Sequence, residues 1–235
     1  MKNKLFIIAF LIIIPASVLA QSSGFIGGAN ISAYVPFGSL SNRFEHTLGG
    51  SFYFGKQISE KWTWLGKIEY FNFDKLNKEK LVVKRDVIIG SDKKNFTIPL
   101  DQLKMKMEVF GVSANANLNV IRSEIFDGNI NFGFGIFWWR NFRETFDDTL
   151  FVKDENGNDV FADYIKVPEL TQGEWSGGFN AGANLGIKIF DPVWLNIGAD
   201  YKAIVGELWA ALALEMENVS TFQMFDTKLG IKINF

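Results

Sequence analysis

The residues that could perform nucleophilic catalysis lie in one short segment. Such chemistry needs a serine or threonine hydroxyl within hydrogen-bond reach of a base, and the chain has a single histidine to act as that base. His46 precedes Thr47, and Ser39, Ser41 and Glu45 are close in sequence. No His-x-Ser pair occurs on a predicted strand, and a lone loop histidine is more often solvated than catalytic. We therefore expect neither an enzyme nor a cofactor, and the lack of cysteine excludes thiolate metal sites.

Charged residues on one face of alternating segments are the second group that could do chemistry. They share the polar face of segments in which polar and apolar residues alternate: Lys67, Glu69, Lys188, Asp200, Lys202, Asp226, Lys228 and Lys232. Because side chains just fill an eight-stranded barrel, these signs predict an ion-pair network in its lumen. If Val193 pairs near Phe235, Asp200 would lie opposite Lys228. The alternative is a proton or solute path, since ionisable residues at membrane depth are functional candidates by default.

Alternating polarity also predicts the elements that position these residues. At the C-terminus, apolar Leu229, Ile231 and Ile233 alternate with polar neighbours, and a period of two indicates a strand. The predicted fold class is all-β, an antiparallel up-and-down transmembrane β-barrel. Its eight strands are expected at roughly 24–37, 47–58, 62–75, 105–120, 130–144, 175–189, from 193 onward and at the chain end.

The connections between predicted strands alternate in length. The turns 59–61 and 190–192 are short, whereas 76–104 and 145–174 are long and contain strand-like pieces. Outer-membrane barrels combine short periplasmic turns with longer outer loops. Both termini are therefore expected in the periplasm, and the strand-like pieces are expected to extend the barrel strands as hairpins.

Two parts of this assignment leave alternatives open. A ten-stranded barrel would use the pieces around Lys84, Arg85 and Asp86, which places three charges at lipid depth. Segment 207–217 has helix-forming composition without a period of two, so it could be a bulged strand top or a short outer helix.

The N-terminus has the layout of a secretory signal peptide. A cationic start precedes an apolar run at 5–14 and small residues ending at Ala20. A membrane anchor helix would need ~20 apolar residues. The predicted domains are a cleaved signal peptide, 1–20, and a barrel domain, 21–235. Cleavage removes two lysines and changes the formal charge from −2 to −4, which gives no reason to expect a nucleic-acid partner.

Alternation alone does not separate a membrane barrel from a soluble lipocalin-like barrel, which hides its apolar face inside. Here the polar face is rich in glycine and asparagine, which suits a narrow lumen. Aromatic residues also cluster near strand ends, as in membrane-interface girdles: Trp62, Trp64, Trp138, Trp175 and Tyr201. We therefore expect the chain to lie among the lipids of the outer membrane of a Gram-negative-type bacterium.

The last strand ends in the motif Lys228-x-Gly230-x-x-Ile233-x-Phe235. This motif resembles the C-terminal signal by which the outer-membrane barrel assembly machinery recognises barrel proteins. Together with the strand pattern, it makes the chain similar to the small eight-stranded outer-membrane proteins, the group of opacity porins and X-type and A-type barrels. The resemblance covers 21–235 and implies the assembly machinery as a partner.

Two classes of function fit this fold, which does not by itself decide function. The first is a structural or surface-interaction role through loops 76–104 and 145–174. The alternative is a small passive pore or a binder of apolar solutes. A lipid-modifying enzyme and a soluble lipocalin-like binder fit the pattern less well.

Overall fold

A computed structural model describes residues 24–89 and 92–235, so the predicted signal peptide lies outside the described residues. No helix in these two ranges has the length and apolar character required to cross a membrane. The strands are β1 (Phe25–Phe37), β2 (Thr47–Gln57), β3 (Trp62–Phe73), β4 (Val82–Ile89), β5 (Asp92–Pro99), β6 (Met105–Arg122), β7 (Phe126–Arg143), β8 (Phe146–Lys153), β9 (Asp159–Val167), β10 (Leu170–Phe190), β11 (Val193–Ile204) and β12 (Phe222–Asn234).

Eight of these strands close into an antiparallel barrel. Their order around the barrel is β1, β12, β11, β10, β7, β6, β3 and β2. At the seam between the first and last strands, the N–H of Phe235 donates to the carbonyl of Phe25 at 2.8 Å. The predicted all-β barrel of eight strands is therefore confirmed.

The other four strands form two separate hairpins. β4 pairs only with β5, and β8 only with β9, so the ten-stranded alternative is wrong. The pieces were expected to extend the barrel strands, and β8–β9 does continue the β7–β10 register, from Arg143 opposite Leu170 to Phe146 opposite Val167, across an interruption in the ladder. After β3 the chain turns at Asn77, whose carbonyl accepts the N–H of Leu81 at 3.0 Å. Between β9 and β10 lies Pro168, which has no N–H to continue a ladder.

The outward face of the barrel is apolar and the inward face of its periplasmic half is polar. Neighbouring residues on β11 illustrate this, because Ile197 is 42% exposed whereas Asn196 is 7% exposed. A closed barrel satisfies the backbone hydrogen bonds internally while presenting apolar side chains outward, as a lipid-spanning structure requires. This arrangement favours the membrane barrel over the lipocalin-like one.

An aromatic row marks the outer edge of the apolar band. Four side chains are successive register partners across β3, β6, β7 and β10: Tyr70, Phe110, Trp138 and Trp175. At the next outward-facing position, Glu108 and Arg140 form an ion pair of 2.8 Å. A change from aromatic to charged residues is typical of a membrane–water interface. Because outer-membrane barrels have longer loops outside and shorter turns in the periplasm, we assign the long loops to the outside and the short turns to the periplasmic end.

Segment 207–217 forms an irregular outer loop. It contains isolated bridges, one of them between Leu208 and Val219, and a short 3₁₀ helix at Leu212–Leu214. Leu208, Leu214 and Met216 are buried in the apolar core at the outer end of the barrel. The segment shows no period of two because its side chains enter this core instead of alternating between lipid and lumen.

Candidate functional site

A buried quartet of charged side chains crosses the middle of the lumen. The Nζ of Lys67 lies 3.3 Å from Glu69 and 3.4 Å from Asp226. Lys202 is hydrogen-bonded to Glu69 and lies 3.6 Å from Asp226. The hydroxyl of Tyr34 also donates to Glu69, at 2.9 Å. Two lysines thus face two carboxylates, which leaves the quartet without net charge.

Two further ion pairs lie on the periplasmic side of the quartet. Lys228 bonds Asp200 at 2.5 Å, and Lys232 bonds Asp127. The register differs from the predicted one, because Asp200 lies directly opposite Asp226, and Lys228 lies opposite Gly198. The contact between Lys228 and Asp200 is therefore diagonal. The final strand is displaced by two residues from the expected register, which keeps every side chain on its predicted face.

Two residues depart from the predicted set. Lys188 pairs with Asp191 at 2.6 Å, at the periplasmic turn and away from the quartet. Asp127, by contrast, joins the lumen although it fell within a predicted turn at 121–129. β7 begins at Phe126, so Asp127 shares the inward face with Asn129 and Asn131. Its parity with these asparagines was the sequence signal that could have found it.

Apolar side chains close the lumen outward of the quartet. The inward positions after Glu69 on β3 are Phe71 and Phe73. On β7 the inward residues Phe137 and Trp139 are level with Glu69 and Phe71 in the register. These four aromatic residues are at most 1% exposed. The Trp139 indole donates to the hydroxyl of Ser176 at 2.9 Å. We call these four residues the apolar plug. Alternating polarity did not predict the plug, although residues 68–73 carry apolar side chains on both faces.

On the periplasmic side of the quartet lies a polar cavity of about 620 Å³, here called the periplasmic cavity. Nine asparagines line it, together with the paired lysines and Trp194. Several of these amides bond to each other. The Nδ2 of Asn184 donates to the Oδ1 of Asn129 at 2.9 Å and to the Oδ1 of Asn131 at 3.0 Å. The lumen is thus polar and open below the quartet, and apolar and closed above it.

The two outer hairpins are held together by opposite charge. Residues 76–104 include seven basic and four acidic residues, whereas 145–174 include two basic and eight acidic ones. Arg85 on β4 lies 2.5 Å from Asp163 on β9 and 2.8 Å from Glu215 in the last loop. A single guanidinium therefore connects three outer segments. We call these segments, 76–104, 145–169 and 205–221, the outer head.

A buried arginine attaches the first outer loop to the outer head. Arg43 donates from Nη2 to the carbonyls of Trp209 at 3.0 Å and Glu217 at 2.5 Å. Burial, and then the nearby charge of Arg143, lower the pKa of Arg43 to about 10. The guanidinium therefore stays charged at neutral pH and holds two loop carbonyls.

The segment around His46 shows no catalytic arrangement in the described part of the chain. The Ser41 hydroxyl donates to the carbonyl of Gly38 at 2.8 Å, and it accepts a hydrogen bond from Lys80 at 3.2 Å. Glu45 forms an ion pair with Lys75. Over 24–89 and 92–235, no group of three or more histidine and acidic side chains could hold a metal ion.

The residues of the C-terminal motif all take part in the seam or the lumen. Gly230 lies between β1 and β11, where a Cβ would collide with the carbonyl of Ala29 and with Asn30. Ile233 lies opposite Gly27 and Val193. Phe235 closes the seam through its backbone, and Lys228 belongs to the lumen pairs.

Comparison with known proteins gives a likeness in structure alone. No protein-family model and no curated protein sequence matches the chain. A major outer membrane protein from Thermus thermophilus is similar over 91% of this chain and 100% of its own, with 10% identity and a TM-score of 0.53. The chain has the fold of the small outer-membrane β-barrels.

Other solved structures are similar at lower scores. Neisserial surface protein A covers 91% of this chain and 98% of its own, with 14% identity and a TM-score of 0.44. Ail, the attachment invasion locus protein of Yersinia pestis, covers 91% and 99%, with 11% identity and a TM-score of 0.42. The closed barrel and its apolar outward band identify this chain as an outer-membrane protein.

Proposed function

We propose that the protein is a closed outer-membrane anchor that presents the outer head for contacts at the cell surface. The observation that carries this proposal is the closure of the lumen at two successive levels. The charged quartet spans the middle of the barrel, and the apolar plug lies directly above it. We propose that the quartet is structural, since its charges are neutralised inside the barrel.

The packing of the outer head supports a role in presenting its hairpins to a binding partner. Its buried residues belong to the same apolar core as the plug. Because protein cores are closely packed and resist deformation, the barrel holds the hairpins in one orientation. A rigid anchor of this kind lowers the ordering cost when the hairpins bind a partner.

The outward face of the β8–β9 hairpin is the part of the head best suited to contact. Phe151, Phe161 and Tyr164 are each more than half exposed, in a segment rich in acidic residues. Exposed apolar groups with charged neighbours are typical of interaction surfaces. We propose a partner surface that is basic and carries apolar side chains, since opposite charge favours encounter.

Conductance separates this proposal from the passive-pore alternative. The refolded full-length barrel, inserted in a planar bilayer, should give no stepwise conductance while a porin in the same lipid does. Stable single-channel steps from the purified barrel would support the pore instead. The proposal also disfavours a binder of apolar solutes, because most side chains that line the periplasmic cavity are polar.

The contact surface can be tested with a basic amphipathic peptide as the probe. Fluorescence polarisation should show binding to the barrel in nanodiscs, and Phe161→Ser should weaken it several-fold. Trp209→Ser is the matched control, since Trp209 is equally exposed but lies in a different outer loop. Equal weakening by both variants, or equal binding of an acidic peptide, would contradict the assignment of the β8–β9 face.

We further propose that β12 carries the signal for the barrel assembly machinery, as the resemblance of its motif implies. The final strand forms the closing seam with β1, so its edge is unpaired and accessible until the barrel closes. Variants at Phe235, described in the Discussion, test this proposal separately.

A further inference from the structure

The periplasmic cavity has no part in the proposed anchoring function. Its volume of about 620 Å³ falls within the ~300–1,000 Å³ range of small-molecule sites. Phe25, Gln57, Arg122 and Phe235 lie at its periplasmic end. The charged quartet closes it on the opposite side, so a solute could enter from the periplasm and could not pass through.

One wall of this cavity is made of neutral hydrogen-bonding groups. Thr63, Asn117 and Asn131 are successive register partners on β3, β6 and β7. The Oδ1 of Asn131 accepts a hydrogen bond from Asn184, whereas the Asn117 amide has no hydrogen bond to another described side chain or backbone group. An asparagine amide can donate two hydrogen bonds and accept two. The Asn117 amide, which lines the cavity, can therefore form hydrogen bonds with a solute.

The facing wall adds an aromatic ring. Trp194 on β11 lines the same cavity, and β11 lies across the barrel from β3 in the strand order. The Nζ of Lys232 lies 4.8 Å from the centroid of the indole. That ammonium is already paired with Asp127, and Lys228 is paired with Asp200. The lysines of this wall are therefore neutralised and offer little attraction to an anion.

We infer that the periplasmic cavity binds a neutral polyhydroxylated solute, a saccharide of one or two rings. Hydroxyl groups both donate and accept, as the amides of Asn117 and Asn131 do. The indole of Trp194 supplies an apolar surface for the C–H face of a sugar ring. Arg122 and Glu124 line the periplasmic mouth without an ion-pair partner among the described residues, whereas the lysines farther inside are paired, so the interior matches a neutral ligand. The quartet closes the opposite side and keeps the ligand in the periplasmic half.

The test uses the full-length barrel in nanodiscs with two probes, maltose and the disaccharide of N-acetylglucosamine. Calorimetric or NMR titration should show saturable binding of at least one probe in the millimolar range. Asn117→Leu should weaken that binding about tenfold, equivalent to about 1.4 kcal/mol. Thr63→Val, which removes one hydroxyl at nearly constant volume, should weaken it by a smaller factor.

The matched control is Asn141→Leu, since Asn141 is buried and on the same strand as Asn131 but does not line the cavity. Asn141→Leu should bind the sugar as the unmodified barrel does. Each variant is first checked for the faster migration of a folded barrel without boiling. If Asn117→Leu does not fold, Thr63→Val decides. Absence of saturable binding of both probes, or unchanged affinity in the folded cavity variants, would overturn the inference.

Discussion

Replacing Lys202 with methionine should destabilise the barrel by an amount that the charged quartet makes predictable. Lys202 is fully buried and faces both Glu69 and Asp226. Methionine is unbranched and adaptable, so it can occupy the space between the Tyr34 and Phe71 rings, which lie 4.9 and 5.5 Å from the ammonium. The variant loses a charge while the volume changes little, and two carboxylates are left with one lysine.

The size of the effect follows from burial. Removing one partner of a buried ion pair costs about 3–5 kcal/mol, because the other charge is left uncompensated. The matched control is Lys188→Met, because Lys188 pairs with the exposed Asp191 at the periplasmic turn. A surface pair of this kind contributes about 0–1 kcal/mol. The free energy of unfolding should therefore fall by a few kcal/mol more for Lys202→Met than for Lys188→Met.

Urea titration in lipid vesicles, followed by tryptophan fluorescence, measures this difference. The double variant Lys202→Met with Glu69→Gln provides a stricter test. In the double variant only Lys67 and Asp226 stay charged, and their charges cancel. The loss of unfolding free energy should therefore be smaller than the sum of the losses in the two single variants. Additive costs, or a Lys202→Met cost no greater than that of Lys188→Met, would refute charge neutralisation as the role of the quartet.

Three further substitutions test other parts of the molecule. Ile197→Lys should lower the free energy of unfolding in vesicles by about 2–4 kcal/mol, because residue 197 faces lipid. Asn196→Lys, beside the periplasmic cavity, should lower it by less. The reverse order would mean that the two faces are exchanged. Phe235→Ala should slow membrane insertion far more than Phe161→Ala, and equal insertion rates would remove the C-terminal strand from the assembly hypothesis. Arg85→Met should speed proteolysis of the outer head on intact cells, and an unchanged cleavage rate would show that the guanidinium does not hold the hairpins together.

The sequence alone predicted the strand faces correctly over most of the barrel. Successive side chains of a strand point to opposite sides as a property of the backbone. Ile197 and Asn196 could therefore be assigned to lipid and lumen without coordinates. Loop lengths similarly predict which end lies outside, because the long segments 76–104 and 145–174 follow alternate strands.

Which charges meet was decided only by the tertiary structure. The position of Asp200 opposite Asp226 depends on the register of two strands, and a shift of two residues leaves the polarity pattern of each strand unchanged. The inclusion of Asp127 in the lumen depends on where β7 begins, which its neighbours on the adjacent strands determine. The pattern within one strand does not determine the register, and it assigns Asp127 to the lumen only once the start of β7 is known.

The apolar plug and the outer head also required the three-dimensional arrangement. Phe71 and Phe137 are inward-facing residues whose apolar character resembles that of lipid-facing neighbours, so alternation could not distinguish a closed lumen from an open one. The contact of Arg85 with Asp163 joins hairpins far apart in the sequence. Local periodicity determines the direction of each side chain, whereas closure of the barrel determines which distant side chains meet. The packing of those side chains across the lumen distinguishes the proposed sealed anchor from an open pore.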